Sequence, residues 1–473
     1  MSPAQPPLEF IPPALNPLVL RAAQQVLPGC IRSQTAIAQI QADNVEILVD
    51  LYRQFQDGKI RFMMAFRHPR VEDPLCMSYL LWKLVPRLAR QKGISLQHPI
   101  HAHFLYDRGI PLWAGAHMGW LYSRLGGTPI HRGKADWMGL RSARDLFANA
   151  QFPITASPEG ATNGHNEIIS PLEPGIAQLG FWCAEDLLKA GRGEQVLIVP
   201  VGIKYRYVEA PWKEIEKLLS ELEVASGLPE GKLKDEQDLK AESLNPSADL
   251  QPFQASLYRR LCRLGEHLLS LMEEFYTRFY HQTLPTVEAS PSNANEALAI
   301  RLQALLNVAL HVAEEYFNVP PKGSVIDRCR RLEAAGWNYI YREDLKNIKA
   351  LSPLERGLAN RIAEEANLRI WHMRLVETFV AVSGQYVLEK PTVERFAETT
   401  LLLWDMVTRI KGSNPFGRPR LGKQRVEMAV GQPISVSERY PVYQANRQGA
   451  RLAVADLTKD LQQAMEGLIS SSG

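Results

Sequence analysis

Two side chains suited to proton transfer stand close together between Phe62 and Pro74, where the chain reads Phe-Met-Met-Ala-Phe-Arg-His-Pro-Arg-Val-Glu-Asp-Pro. They are His68 and Asp73, with four residues between them. A carboxylate that accepts the proton of one imidazole nitrogen fixes the ring's tautomer and leaves the other nitrogen as a general base. This is the lower part of a serine-protease triad without the serine, so the nucleophile has to come from a bound substrate. The same spacing recurs at His131 and Asp136 in a chain with eleven histidines. Spacing alone therefore leaves a plain alternative open, a helix cap beside an ordinary loop histidine.

Three further stretches carry groups that can bind. Leu125-Gly-Gly-Thr-Pro-Ile-His-Arg-Gly-Lys sets Arg132 and Lys134 beside flexible glycines. A guanidinium and an ammonium there make a phosphate clamp, or simply solvated loop cations. Pro158-Glu159-Gly160 follows an apolar run; Glu159 could orient an acceptor hydroxyl or fix a clamp arginine, and Gly160 lets the backbone approach a ligand, although Pro-Glu-Gly is also a common turn. Val-Leu-Ile-Val-Pro-Val-Gly-Ile-Lys over residues 196–204 reads as a buried strand ending at Pro200, since proline is disfavoured inside a sheet. His98, His101 and His103 form the remaining histidine cluster. His101 and His103 would share a strand face, but no third ligand stands at a convincing spacing, so no metal site is expected.

These groups need elements to hold them. The apolar run 60–66 predicts a buried strand that delivers His68 to its end. Asp73 before Pro74 and the periodic run that follows predict a helix over 75–90, with Asp73 as its cap. Strands over 60–66, 100–105, 128–131, 152–156 and 195–201 alternate with helices over 75–90, 111–125, 137–150 and 174–190. That alternation predicts an α/β fold, a mixed and largely parallel sheet flanked by helices, with functional groups in loops at the strand ends. Ahead of it, residues 1–58 read as a Pro-rich tail and two helices, 15–26 and 44–56.

After residue 207 the pattern turns helical, with helices over 212–224, 253–281, 293–317, 353–382 and 392–410 and a polar linker over 227–249. Strand-like sequence returns at 425–430, ahead of a closing helix at 451–468. We therefore expect a core over 59–207 completed by 416–473 and split by an all-helical insertion, 208–415. A separate C-terminal domain would leave strand 425–430 without a sheet.

Composition narrows the function class. The chain of 473 residues is 45% apolar with a net charge of only +3, which gives no case for nucleic acid. Five cysteines without paired spacing argue against disulfides or zinc and for a reducing, cytoplasmic setting. The first residues lack a signal-type apolar core, and no stretch reads as long enough to span a bilayer. Membrane contact, where there is any, is expected to be peripheral, through the N-terminal helices or those at 75–88 and 111–125.

The order of the blocks resembles the glycerolipid acyltransferases, which move acyl groups onto glycerol-3-phosphate or 1-acylglycerol-3-phosphate. His68–Asp73, Gly127–Arg132, Pro158–Gly160 and Val199–Val201 stand in the order of that family's four blocks, and 425–434 looks like its closing strand. The resemblance covers about 59–207 and 416–470 and says nothing of the helical block. It implies His68 as base, Asp73 as its partner, Arg132 as the phosphate-binding arginine, and Glu159 and Gly160 lining the acceptor site. The implied donor is acyl-CoA or acyl carrier protein, with no metal or prosthetic group. Where the family often continues Pro-Glu-Gly-Thr-Arg-Ser, this chain has Ala161-Thr162-Asn163, so a second arginine is missing. Pro174 likewise replaces a basic residue before Gly175. Two other readings stay open: a catalytically inactive, acyltransferase-like lipid-binding or interaction protein, and an acyltransferase for a non-phosphorylated acceptor.

Overall fold

The structure is a computed structural model that describes residues 3–131, 136–228, 250–285, 294–345, 347, 350–379, 386–415 and 417–470. The chain divides into two compact units: residues 9–208 with 423–473, and residues 209–422 with 1–8.

The first of these is α/β. Its strands are β1 (Ile37–Asp43), β2 (Ile60–Phe66), β3 (His103–Asp107), β4 (Thr128–Ile130), β5 (Ile154–Ala156), β6 (Gln195–Tyr207), β7 (Gln424–Val430) and β8 (Ile434–Ser435). They form one sheet in the order β1-β7-β6-β2-β5-β3-β4, with β8 beside β6. β2, β3, β4, β5 and β6 are mutually parallel, so the loops after them open on one edge. β7 runs antiparallel to β6 and parallel to β1. The strand near residue 425 thus lies in the sheet that carries His68.

Eight helices come from the first segment: α1 (Pro17–Gln34), α2 (Val45–Gln56), α3 (Asp73–Tyr79), α4 (Val85–Gln91), α5 (Ile110–Ala114), α6 (Ala116–Arg124), α7 (Trp137–Asn149) and α8 (Gly175–Lys189). A π turn, Leu80–Leu84, joins α3 to α4. β2 explains the layering. Phe62, Met64 and Phe66 pack into one core with α1, α2, α3 and α4, whereas Met63 and Ala65 pack into the other with α7 and α8. A strand covered on both faces needs a continuous apolar run, which 62–66 supplies.

The helical unit contains α9 (Trp212–Ala225), α10 (Pro252–Tyr280), α11 (Ala294–Phe317), α12 (Val325–Ile340), α13 (Pro353–Phe379), α14 (Tyr386–Glu389) and α15 (Val393–Ile410). Among its described residues no named strand occurs. Three of its buried acids pair with arginines, Glu223 with Arg260 and Arg263, Glu314 with Arg328 and Glu333 with Arg374, and Glu398 accepts the Tyr386 hydroxyl. Residues Glu296–Phe317 of α11 are long and apolar enough to cross a membrane. Part of this stretch is packed, because Leu306, Leu310 and Ala313 are buried and α11 lies against α10, α12 and α13, with 39% of the apolar window buried in all. The chain closes in the α/β unit with α16 (Tyr440–Ala445) and α17 (Arg447–Ser470), the latter against α8 and β6.

Four expectations need correction. Residues 1–58 are not purely helical, because β1 lies among them and pairs with β7. The helix expected over 111–125 is two, broken at Gly115. α12 was not anticipated, although Ser324 and Asp327 form a capping box at its start. Finally, β6 does not stop at Pro200 but runs to Tyr207. One neighbour of β6 changes there, from β8 at 197–198 to β7 at 201–207, so the missing N–H falls where one ladder gives way to the next. Gly431 N–H donates to the Pro200 carbonyl at 2.8 Å, and a Cβ on Gly431 would meet the proline ring at 2.7 Å.

Candidate active site

β6 outruns β2. Their parallel pairing ends at Phe66 and Val201, and the Arg67 N–H adds one more bond to the Val201 carbonyl at 2.9 Å. Beyond it, residues 202–207 keep β7 on one side and have lost β2 on the other. The Asn166 amide fills part of that gap, donating to the Tyr205 carbonyl at 3.0 Å and accepting its N–H at 2.9 Å. Arg67 is fully buried, and its guanidinium donates to the carbonyls of His165, Asn166 and Ile168. The loop after β5 is thus seated on the overhanging end of β6.

His68 follows directly. Its Nδ1 lies 3.0 Å from Asp73 Oδ2, which also accepts the Arg70 N–H at 2.7 Å. A carboxylate offers only acceptors, so Nδ1 carries the proton and Nε2 is left with its lone pair. Nε2 has no hydrogen-bond partner in the described structure, and the side chain keeps 21% exposure while Asp73 has none. Asp73 is not the helix cap expected from sequence. It is the first residue of α3, no side chain caps that helix, and its carboxylate turns back to the loop. Its second oxygen, Oδ1, accepts the Tyr205 hydroxyl at 2.5 Å. Burial first, then the Asp73 and Cys76 charges, push the Tyr205 phenol well above its ordinary range, so it remains a donor.

Glu159 stands after β5 and is turned inward. Oε1 accepts the His68 N–H at 2.8 Å, and Oε2 accepts the Ser170 N–H at 3.1 Å and the Asn163 amide at 3.3 Å. Burial raises its carboxyl, opposed by the Arg67 charge and by these N–H groups. In this arrangement Glu159 holds the His68 loop from below. Gly160 adopts φ of +71°, a left-handed conformation that accounts for glycine in this turn.

The second His–Asp spacing is built differently. The His131 backbone N–H, not its ring, bonds Asp136 Oδ2 at 2.8 Å. Asp136 also caps α7 through Gly139 N–H and pairs with Arg108 at 2.5 Å. Arg132 and Lys134, the expected phosphate clamp, lie outside the described residues. His101 and His103 do approach each other, ring centroids 6.2 Å apart, but as core groups. His101 accepts from Trp82 Nε1 and bonds the Leu125 carbonyl, and burial lowers it to about 4. Among the described residues no group of three or more His, Cys, Asp or Glu side chains could hold a metal ion.

Sequence reasoning missed Arg67, Asn166 and Tyr205. The signal for Tyr205 was parity. Val199, Val201 and Ile203 pack on the α3 side of the sheet, and Tyr205 continues that series once β6 is allowed through Pro200.

No family model, curated protein or solved structure matches this chain.

Proposed function

We propose that the protein is an O-acyltransferase that moves a fatty acyl group from a thioester to a hydroxyl of glycerol-3-phosphate or a lysophospholipid such as 1-acylglycerol-3-phosphate. The observation that carries this reading is His68, anchored through Nδ1 by a buried carboxylate, with Nε2 uncommitted and the side chain partly exposed just past the end of β2. The acceptor O–H gives its proton to Nε2 as its oxygen attacks the thioester carbon. The C–S bond then breaks, and the imidazolium returns the proton to the departing thiolate, leaving ester and free thiol. Asp73 orients the ring and stabilises its cation. Glu159 holds the loop, and Arg132 is assigned the acceptor's phosphate. No metal or prosthetic group is called on, and the donor is acyl-CoA or acyl carrier protein. The acyltransferase-like core would then be split by the helical unit. Five free cysteines suit a reducing, cytoplasmic site, with peripheral membrane contact for lipid exchange.

One observation favours a second acceptor class. Thr162 occupies the position where a second arginine would stand and is exposed, while Asn163 turns inward to Glu159. A non-phosphorylated alcohol would need neither arginine. The test incubates purified protein with acyl-CoA or acyl carrier protein and a panel of phosphorylated and non-phosphorylated acceptors, following thiol release and lipid product. Acyl ester on a phosphorylated acceptor supports the main reading. Product only on unphosphorylated alcohols moves it to the second, and no turnover with any pair overturns both.

A further inference from the structure

We infer that Tyr205 is a positioning residue, the third member of a hydrogen-bonded chain Tyr205–Asp73–His68 that spans the top of the sheet. The inference rests on the general-base reading of His68. Its geometry is local and closed. The hydroxyl is 2.5 Å from Oδ1, the imidazole Nδ1 is 3.0 Å from Oδ2, and Oδ1 has no other partner in the described structure. The phenol is held on every side. Asn166 fixes its backbone, the Arg70 guanidinium lies 4.4 Å over its ring, and Cys76 Sγ approaches the hydroxyl at 3.7 Å. Arg70 is in turn tied to Gln424 of β7.

A hydroxyl that donates to one oxygen of a carboxylate draws negative charge away from the other. Tyr205 thereby sets how much of the Asp73 charge reaches the imidazolium, and pins the plane of the carboxylate against His68. The charged and titratable groups around the chain are Arg67 from β2's end, Arg70 and Glu72 from the loop, Cys76 from α3 and Glu159 from the β5 loop. The Arg70 N–H still holds Asp73 Oδ2 when Tyr205 is altered.

The test is made on the full chain by nitrogen-15 NMR of His68, a readout that needs no substrate. Tyr205→Phe removes the hydroxyl and keeps the ring. The His68 midpoint is expected to rise by about half a unit or more, because Asp73 then stabilises the imidazolium more strongly. The neutral ring is expected to keep its Nδ1–H tautomer, because Asp73 Oδ2 still accepts from Nδ1. Replacing Tyr205 by 3-fluorotyrosine strengthens the donor without changing the fold and should move the midpoint the other way; it also serves if Tyr205→Phe fails to fold. In turnover, Tyr205→Phe should lower kcat roughly tenfold, in line with loss of one bond to a charged group, with acceptor KM little changed. A His68 midpoint that ignores the substitution overturns the inference. A wild type without acyl transfer but with these spectral shifts overturns only the proposed function.

Discussion

His68→Ala removes the group whose Nε2 is uncommitted, and turnover should fall by roughly 10²–10⁴, the usual range for a lost general base. His131→Ala should cost far less, because its bond to Asp136 runs through the backbone. Steady-state kinetics on both variants decide the matter, and reversed losses would move the site to the His131 loop. Glu159→Gln tests the holding role. Glutamine offers one acceptor and sets an amide against the N–H of either Ser170 or His68, where two acceptors now stand. A stability loss of roughly 1–3 kcal/mol in urea unfolding is expected, with kcat lowered and acceptor KM nearly constant. A raised acceptor KM alone would instead make Glu159 part of the acceptor pocket. At this scale the sequence was legible where partners are near in number. His68 and Asp73 lie five positions apart, whereas Tyr205 reaches Asp73 across 132 positions. Arg67 sits beside His68, yet nothing in a lone arginine announces that it will bond three carbonyls 98 to 101 positions away.

Among the elements, the strands covered on both faces were visible, and so was the edge strand β4, but the other edge, β1, was not. β2 is an unbroken apolar run, as burial on two sides demands. β1 was missed because only Ile37 and Ile40 are buried in it, three positions apart. A register shift between Ile37 and Gln39 breaks the period of two that marks a strand. β7 shows the opposite case, with Gln424, Val426, Met428 and Val430 all inward. Val426 is fully buried and pairs with both Ile40 and Tyr205. Val426→Asp places an unpaired carboxylate there and should cost more than about 3 kcal/mol, read as a lowered urea midpoint. Little change would mean that β7 is an accessory strand. The proline in β6 shows why a rule about single strands misleads: residue 200 is tolerated because of what its neighbours do.

For the whole molecule, each unit buries a histidine whose neutral form is required. In the α/β unit, burial holds His101 at about 4 against an ordinary 6.5; in the helical unit, burial lowers His372 to about 3. Above 6.5 both are neutral folded or unfolded, and stability is complete. As pH falls below 6.5 the unfolded chain takes up protons that the folded one refuses, so stability declines until the folded value is reached. For His101 the full decline is roughly 3 kcal/mol, of which about 2 is gone by pH 5. Urea unfolding at pH 7.5 and pH 5 should show it, and His101→Gln should flatten the α/β unit's share. A wild-type stability indifferent to pH over that range would mean that His101 is charged in the fold. The discontinuous make-up of the α/β unit bears on how the protein is made. β1 is complete at Asp43, but the strand that pairs with it does not begin until Gln424. At roughly 5–20 residues per second, a ribosome needs on the order of 20–80 s to cover that distance. All of the helical unit's sequence after residue 208 has been translated by then. β1 is an open strand edge throughout that interval, and the side of β6 that pairs with β7 is open from Tyr207 onward, the kind of surface to which chaperones bind. Yield in the cell should therefore depend on elongation speed between residues 209 and 422 as well as on final stability.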